Sequence, residues 1–289
     1  MKKLFLITVL LASFISLSSC GSSPEKGGTQ ERLVSLSPNI TELLFALGLG
    51  EKVAGVTSYC DYPAQCREKQ SVGSIMEPDI ETVISLSPDT VFISNTEIHR
   101  RIGSRLEGIG AETVIVETKN IDDIYSAIDK ISRICGVQQR GSALKAQIRK
   151  KLSEIRSLSS GGAAPKVLVV VQREPIMAAG KGTYIDSLLE IAGAENAAEQ
   201  SGYPKYNAES LVVMNPDIII ESDAKTDGIK KLEKQNYYSR WKTNAAEEGN
   251  VYQVNADVVS RLGPRITKAA KLLRSIVKQS EKGKKFAGD

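Results

Sequence analysis

The side chains able to do chemistry are few, and their scarcity already excludes several functions. The 289 residues contain one histidine, His99. A metal centre built from several imidazoles is therefore excluded, and a Ser-His-Asp triad would have to use that single ring. His99 stands beside Arg100 and Arg101 in a polar stretch and is expected to be a solvated helix residue. Gly180-Lys181-Gly182-Thr183 lacks the upstream glycine of a phosphate loop and has no Ser or Thr directly after its lysine. Gly48-Leu49-Gly50 follows a helical run and lacks the third glycine of a dinucleotide fingerprint. Both read as turns. With no nucleophile placed beside a base, the chain reads as a binding module and not an enzyme. A secreted α/β hydrolase is the reading from a different class, and a structural surface protein is a third.

Composition narrows this further. Hydrophobic residues make up 41% and charged residues 25%, ordinary for a globular protein, while aromatics are 5% with one Trp. That is too few for a platform stacking single-stranded nucleic acid. Lys2 and Lys3 precede an uncharged, mainly apolar run of 14 residues, Leu4 to Leu17, shorter than the roughly 20 a membrane helix needs. It reads as a signal-peptide core. Leu17-Ser18-Ser19-Cys20 follows, a pattern resembling a lipobox, so Cys20 is the expected lipidation site and residues 1–19 the signal segment. Residues 20–31, rich in Gly, Ser and Thr, read as a flexible tether. Without Lys2 and Lys3 the 38 basic residues become 36 against 34 acidic, too balanced for a nucleic-acid partner.

The elements that must position any site alternate. Leu33 to Leu36 reads as a strand, Thr41 to Leu47 as a helix stopped by Gly48, and Val53 to Val56 as a strand. A turn-rich loop follows from Ser58 to Gly73. Helices are expected over Pro78–Leu86, Glu97–Gly108 and Asp122–Cys135, and strands over Thr90–Ser94 and Thr113–Val116. This alternation predicts an α/β lobe with a mostly parallel sheet over residues 32–137. Gln138 to Leu158 carries apolar residues at Leu144, Ile148, Leu152 and Ile155, the spacing of one amphipathic helix about 30 Å long. This connecting helix, residues 138–160, precedes a second α/β lobe over 165–280. The basic tail Lys282–Lys285 is expected to fray.

One unit recurs, once in each lobe. Ile80-Glu81 leads to Ser87-Pro88-Asp89 and a strand from Thr90; Ala208-Glu209 leads to Asn215-Pro216-Asp217 and a strand from Ile218. In both, Glu stands seven positions before Pro and eight before Asp. A short helix with Glu at its positive end stops at Pro and turns into a buried strand.

Taken in order, Leu33 to Glu42 with Gly48, Gly55-Val56-Thr57-Ser58-Tyr59-Cys60-Asp61-Tyr62-Pro63, the two Glu-to-Pro-Asp units, and Arg261-Leu262-Gly263-Pro264-Arg265 resemble solute-binding proteins for cobalamin and ferric siderophores. These are the extracytoplasmic receptors of ATP-driven importers. The Tyr59 to Pro63 stretch is most similar to the cobalamin branch. The resemblance implies two Rossmann-like lobes joined by one rigid helix, a class III periplasmic binding protein, with ligand in the crevice between them. The implied partners are a permease dimer with its ATPase, a small-molecule ligand and the membrane through a lipid anchor, with no nucleic acid. The protein itself is expected to be a monomer. No resident cofactor or metal is implied; a corrinoid or another metal chelate would be cargo.

Loops at the carboxyl ends of parallel strands face such a crevice. That places Ser37, Pro38, Asn39, Tyr59, Cys60, Asp61, Tyr62, Ser74, Asn95, Arg173, Glu174, Thr183, Tyr184, Asp223, Asp257 and Arg261 along it. Tyr59 and Tyr62 offer apolar area with a polar tip, and Arg173 and Arg261 suit carboxylate, phosphate or amide groups. Where the cobalamin prototype has large aromatics, this chain has Val258 and Val259, which leaves a smaller corrinoid, a siderophore or haem open. The resemblance gives Glu81 and Glu209 the role of docking onto the two permease subunits. Cys60 and Cys66 either form a disulfide in an oxidising envelope or, with Cys135, remain free thiols.

Overall fold

The computed structural model describes residues 31–108, 110–159, 163–223, 226 and 228–286. The expected signal segment and Cys20 lie outside them. The chain from Glu31 forms one compact unit with two sheets. The first half runs β1 (Leu33–Ser35), α1 (Pro38–Ala46), β2 (Val53–Val56), β3 (Gln70–Ser71), α2 (Ile80–Ser85), β4 (Thr90–Ser94), α3 (Glu97–Glu107), β5 (Glu112–Val116) and α4 (Ile121–Ile134). Helix α5 (Gln138–Ser157) connects to β6 (Lys166–Gln172), β7 (Ile176–Ala178), α6 (Tyr184–Ala192), β8 (Glu195–Asn196), β9 (Lys205–Tyr206), α7 (Ala208–Met214) and β10 (Ile218–Asp223). Then come β11 (Ile229–Lys231), α8 (Asn244–Glu247), β12 (Val251–Asn255), α9 (Ala256–Val259) and α10 (Ile266–Phe286). The backbone is thus helical through the basic tail that was expected to fray.

The N-lobe sheet has the order β3-β2-β1-β4-β5, parallel throughout. The C-lobe sheet has the order β11-β12-β10-β6-β7-β9, with β8 added to β6. Here β12, β10 and β6 are parallel, while β11 and β7 run against their neighbours. These antiparallel edges were not anticipated from sequence, because strands of two or three residues are too short to show alternation.

Burial explains why the lobes hold a fixed relation. Separate apolar clusters cover the outer faces, around Val34, Val91 and Leu106 in one lobe and Leu168, Ile219 and Tyr238 in the other. A third, larger cluster is continuous across both lobes, joining Leu43, Phe92 and Ile128 to Ile185, Ile220 and Leu273 through Ile148, Leu152 and Ile155 of α5. The connecting helix is therefore a strip of shared core. Its start lies so close to α4 that a Cβ on Gly141 would meet Ser132 Oγ at 2.5 Å.

The repeated unit is visible in the backbone. Among the described residues, Ser87 and Asn215 are the non-glycine residues with positive φ, 45° and 44°. Each directly precedes the repeat proline, where the helix cannot continue, and such a conformation costs a non-glycine residue roughly 1 kcal/mol or more. The aspartate that follows clasps the start of the central strand. Asp89 Oδ2 accepts from the Arg32 amide at 2.7 Å, and Asp217 Oδ2 from the Lys166 amide at 2.9 Å. The Asp89 and Asp217 amides return bonds to the carbonyls of Arg32 and Lys166. Asp89→Ala and Asp217→Ala are each expected to lower urea-measured stability by about 1–2 kcal/mol, the worth of a charge-assisted bond. Equal stability of either variant and the parent would remove this role.

Candidate functional site

Asn39, in the first turn of α1, marks where the lobes meet. Its Nδ2 donates to Thr118 Oγ1 at 2.9 Å, just beyond β5, and to the Leu262 carbonyl at 3.4 Å, beyond β12 and α9. The carboxyl ends of the two sets of parallel strands thus face one another. This is the placement that open α/β sheets use for ligands.

A charged latch crosses the same junction. Arg265 grips Glu42 of α1 at two points, through Nε to Oε2 at 2.8 Å and Nη2 to Oε1. The Glu42 side chain is 1% exposed. Arg261 bonds Asp61 Oδ1 at 2.5 Å and Asp257 Oδ1 at 2.7 Å. Burial opposes charge on Arg265, yet the bond and charge of Glu42 outweigh it and raise its pKa. Burial likewise works against the Asp61 carboxylate, but the bond and charge of Arg261 hold its pKa below the ordinary value. The Arg265 guanidinium also lies 4.5 Å from the centroid of the Tyr62 ring, a cation–π distance. Tyr62 borders a groove of about 640 Å³ shared with Phe45, Pro63 and Pro264.

The other expected crevice residues divide by what already holds them. Tyr59, at 57% exposure, presents its ring to solvent beyond β2. Glu174 is exposed beside Arg173, and Arg173 bonds both carboxylate oxygens of Glu221 at 2.6 and 2.8 Å. Asn95 is engaged by Glu117 and by Arg100 Nη1. Ser74 Oγ accepts from the Glu77 amide, and Asp223 Oδ2 from Thr226 Oγ1. Ser37 Oγ donates to Asn39 Oδ1, and Pro38 is buried at the start of α1.

Other residues expected at the crevice are buried. Cys60 is buried, with its sulfur 3.2 Å from both the Thr41 and Thr57 hydroxyls, so it packs under the crevice loop instead of lining it. Of the two alternatives open for Cys60 and Cys66, the structure has the free thiols, with Cys135 free as well. Burial pushes the Cys66 and Cys135 thiols up to about 11. Thr183 is the buried N-cap of α6, accepting from the Asp186 amide. Tyr184 is buried and donates to the Val259 carbonyl at 2.8 Å. Val258 and Val259 belong to the shared core.

His99 is not solvated. It is 1% exposed, accepting at Nδ1 from the Ser94 amide at 3.1 Å and donating from Nε2 to the Ile75 carbonyl at 2.8 Å. That pair of bonds requires the neutral ring, with the proton on Nε2. The ring pins the end of β4 to the loop after β3, and Met76 on that loop is 65% exposed. Sequence reasoning also passed over Met76 and Tyr203. Tyr203 is 46% exposed and lies against the Tyr184 hydroxyl. An isolated Tyr beside Gly202 and Pro204 was the available signal.

Glu81 and Glu209 occupy equivalent places, the second residues of α2 and α7, and both are exposed. Asp79 and Asn207 cap these helices, accepting from the amides of Thr82 and Ser210.

With this geometry in view, comparison with known proteins is informative. The family described as periplasmic binding protein matches residues 33–258. The chain belongs to that family. One relative is the uncharacterized ABC transporter substrate-binding lipoprotein YvrC of Bacillus subtilis, 32% identical over 246 residues, covering 82% of this chain and 76% of the relative. Among solved structures, the vitamin B12 binding protein BtuF of Vibrio cholerae is 25% identical with a TM-score of 0.73, covering 87% of this chain and 98% of that one. A possible iron-binding (periplasmic solute-binding) protein from Staphylococcus epidermidis is 28% identical with a TM-score of 0.74, covering 86% and 98%. The two-lobed class III architecture of this periplasmic binding protein is the one expected from its sequence.

Two tests follow from the site. Burial lowers the His99 pKa, so the unfolded chain, titrating near 6.5, takes up a proton that the folded ring refuses. Stability is then full above about pH 6.5 and is lost as pH falls towards the depressed folded value. Denaturant titrations between pH 7.5 and 5.5 should show this slope, and His99→Gln should flatten it; an unchanged slope would refute the assignment. Arg265→Ala leaves the buried Glu42 carboxylate with only Arg261, 3.8 Å away, and should cost about 3 kcal/mol, whereas Glu42→Met with Arg265→Met should cost much less. Equal losses in the two variants would contradict a latch of this kind.

Proposed function

We propose that the protein is the extracytoplasmic substrate-binding lipoprotein of an ABC importer. In this reading, Cys20 anchors it, a corrinoid occupies the crevice, and Glu81 and Glu209 present the loaded protein to the permease dimer. The observation that carries the choice of ligand is the pairing of the crevice arginines. Arg261 is bound to Asp61 and Asp257, Arg265 to Glu42, and Arg173 to Glu221. A polyanionic ferric siderophore or a dicarboxylate haem would need cations that these carboxylates already neutralise. A corrinoid, with low net charge, amide arms and a broad apolar ring, makes no such demand. Tyr59, Met76 and Tyr203 supply exposed apolar area for it. Of the relatives described above, the vitamin B12 binding protein supports this direction, while the possible iron-binding protein stands with the siderophore alternative.

The deciding measurement is equilibrium binding of the detergent-solubilised full chain to cobalamin, cobinamide, haem and a ferric siderophore panel. Saturable binding of a corrinoid, at least 100-fold tighter than the rest, is expected; tighter binding of haem or a siderophore would replace this reading. The docking role predicts that Glu81→Arg with Glu209→Arg abolishes uptake in cells while ligand affinity stays unchanged. Two separated charges on one rigid body set register on a paired receptor. Normal uptake by the double variant would end that assignment.

A further inference from the structure

The two docking helices repeat more than a glutamate. Three residues after Glu81, Ile84 is 41% exposed, and three residues after Glu209, Val212 is 45% exposed. The C-lobe then adds further features, with Val213 standing where α2 has Ser85. Val213 is 85% exposed. Beside it, between α7 and β8, lies a groove of about 510 Å³ that shares none of the crevice residues. Glu195, Glu199 and Glu209 line it against one cation, Lys166, with Val213 and Met214 along its length. An acidic trough edged by exposed aliphatic side chains matches a cation carried on an apolar segment.

We infer that this groove receives a basic side chain, flanked by apolar ones, from an extracytoplasmic segment of the importer's membrane subunit. Docking is therefore asymmetric: the N-lobe contributes a charge with one aliphatic contact, and the C-lobe contributes a charge, a larger apolar edge and a slot. The inference rests on the docking role proposed for Glu209 and adds to it the residues that choose the partner segment. The asymmetry has a physical consequence. A permease with two identical faces would engage the two lobes unequally, and the C-lobe contact would hold the longer.

The test places the photoreactive residue p-benzoylphenylalanine at position 213, and separately at 84, of the full-length chain in intact cells. Cross-linked peptides are identified by mass spectrometry. Position 213 should cross-link to an extracytoplasmic segment of an ABC membrane subunit whose captured peptide contains Arg or Lys. Combining Glu195→Lys with Glu199→Lys should cut that yield at least tenfold with no change in ligand affinity, which also shows that the variant folds. Capture of a second copy of this chain alone, or a yield indifferent to charge reversal, would overturn the inference. Cross-linking from 84 but not 213 would overturn the groove while leaving docking intact. No membrane-subunit capture from either position, with normal uptake by the Glu81→Arg and Glu209→Arg double variant, would overturn both.

Discussion

The carboxylate of Glu42, held out of water by one lobe and gripped at two points by Arg265 of the other, sets the terms for the rest of the molecule. A charge buried that deeply is tolerated only with its partner in place, so the lobes cannot separate along this edge without exposing or stranding it. The strip of core threaded by α5 resists separation for an apolar reason. Ile148, Leu152 and Ile155 belong to the same cluster as residues of both lobes, and parting them would return that surface to water. An ionic latch and an apolar seam together fix the crevice between two sheet ends. Such preorganisation lowers the ordering cost of capturing a ligand.

The same latch decides the crevice's chemistry. Arginines are the usual recruiters of anionic ligands, yet those nearest the junction are occupied by Glu42, Asp61, Asp257 and Glu221. They act as girders, and their net contribution to the field is small. The exposed rings of Tyr59 and Tyr203 and the thioether of Met76 are the apolar area that the proposed corrinoid would cover. The loop bearing Met76 is held by a histidine that must stay neutral to make both its bonds, which links ring protonation to the position of that loop.

Much of this was legible beforehand, for reasons that differ by element. The parallel strands β1, β4, β6 and β10 are buried on both faces, so their unbroken apolar runs announced them. The Glu-to-Pro-Asp unit was legible as spacing, although its use was not. Only the tertiary structure shows each aspartate clasping the start of a strand more than fifty positions away in sequence, Asp89 at Arg32 just before β1 and Asp217 at Lys166 of β6. The edge strands β7, β8 and β9 carried no periodic signal, because pairing partners and not local preference create strands that short. His99 was misread because its neighbours Arg100 and Arg101 are solvent-facing. On a helix, adjacent residues point in different directions, and sequence proximity says little about burial. Cys60 was misplaced for the related reason that a loop residue beside exposed Tyr59 can still turn inward.

Local composition and period determined the alternation of strands and helices and the long connector, and spacing alone showed the repeated Glu-to-Pro-Asp unit. These depend on backbone preference and on which face of an element is apolar, and both are written in runs of neighbouring residues. Tertiary structure alone decided that Arg173, Arg261 and Arg265 are paired with carboxylates, that His99 is a buried bolt, and that Glu195, Glu199 and Glu209 share one trough. Each of those facts is a distance between groups far apart in the chain. Electrostatic and hydrogen-bond energies depend on such distances and on the exclusion of water, which no one-dimensional pattern contains.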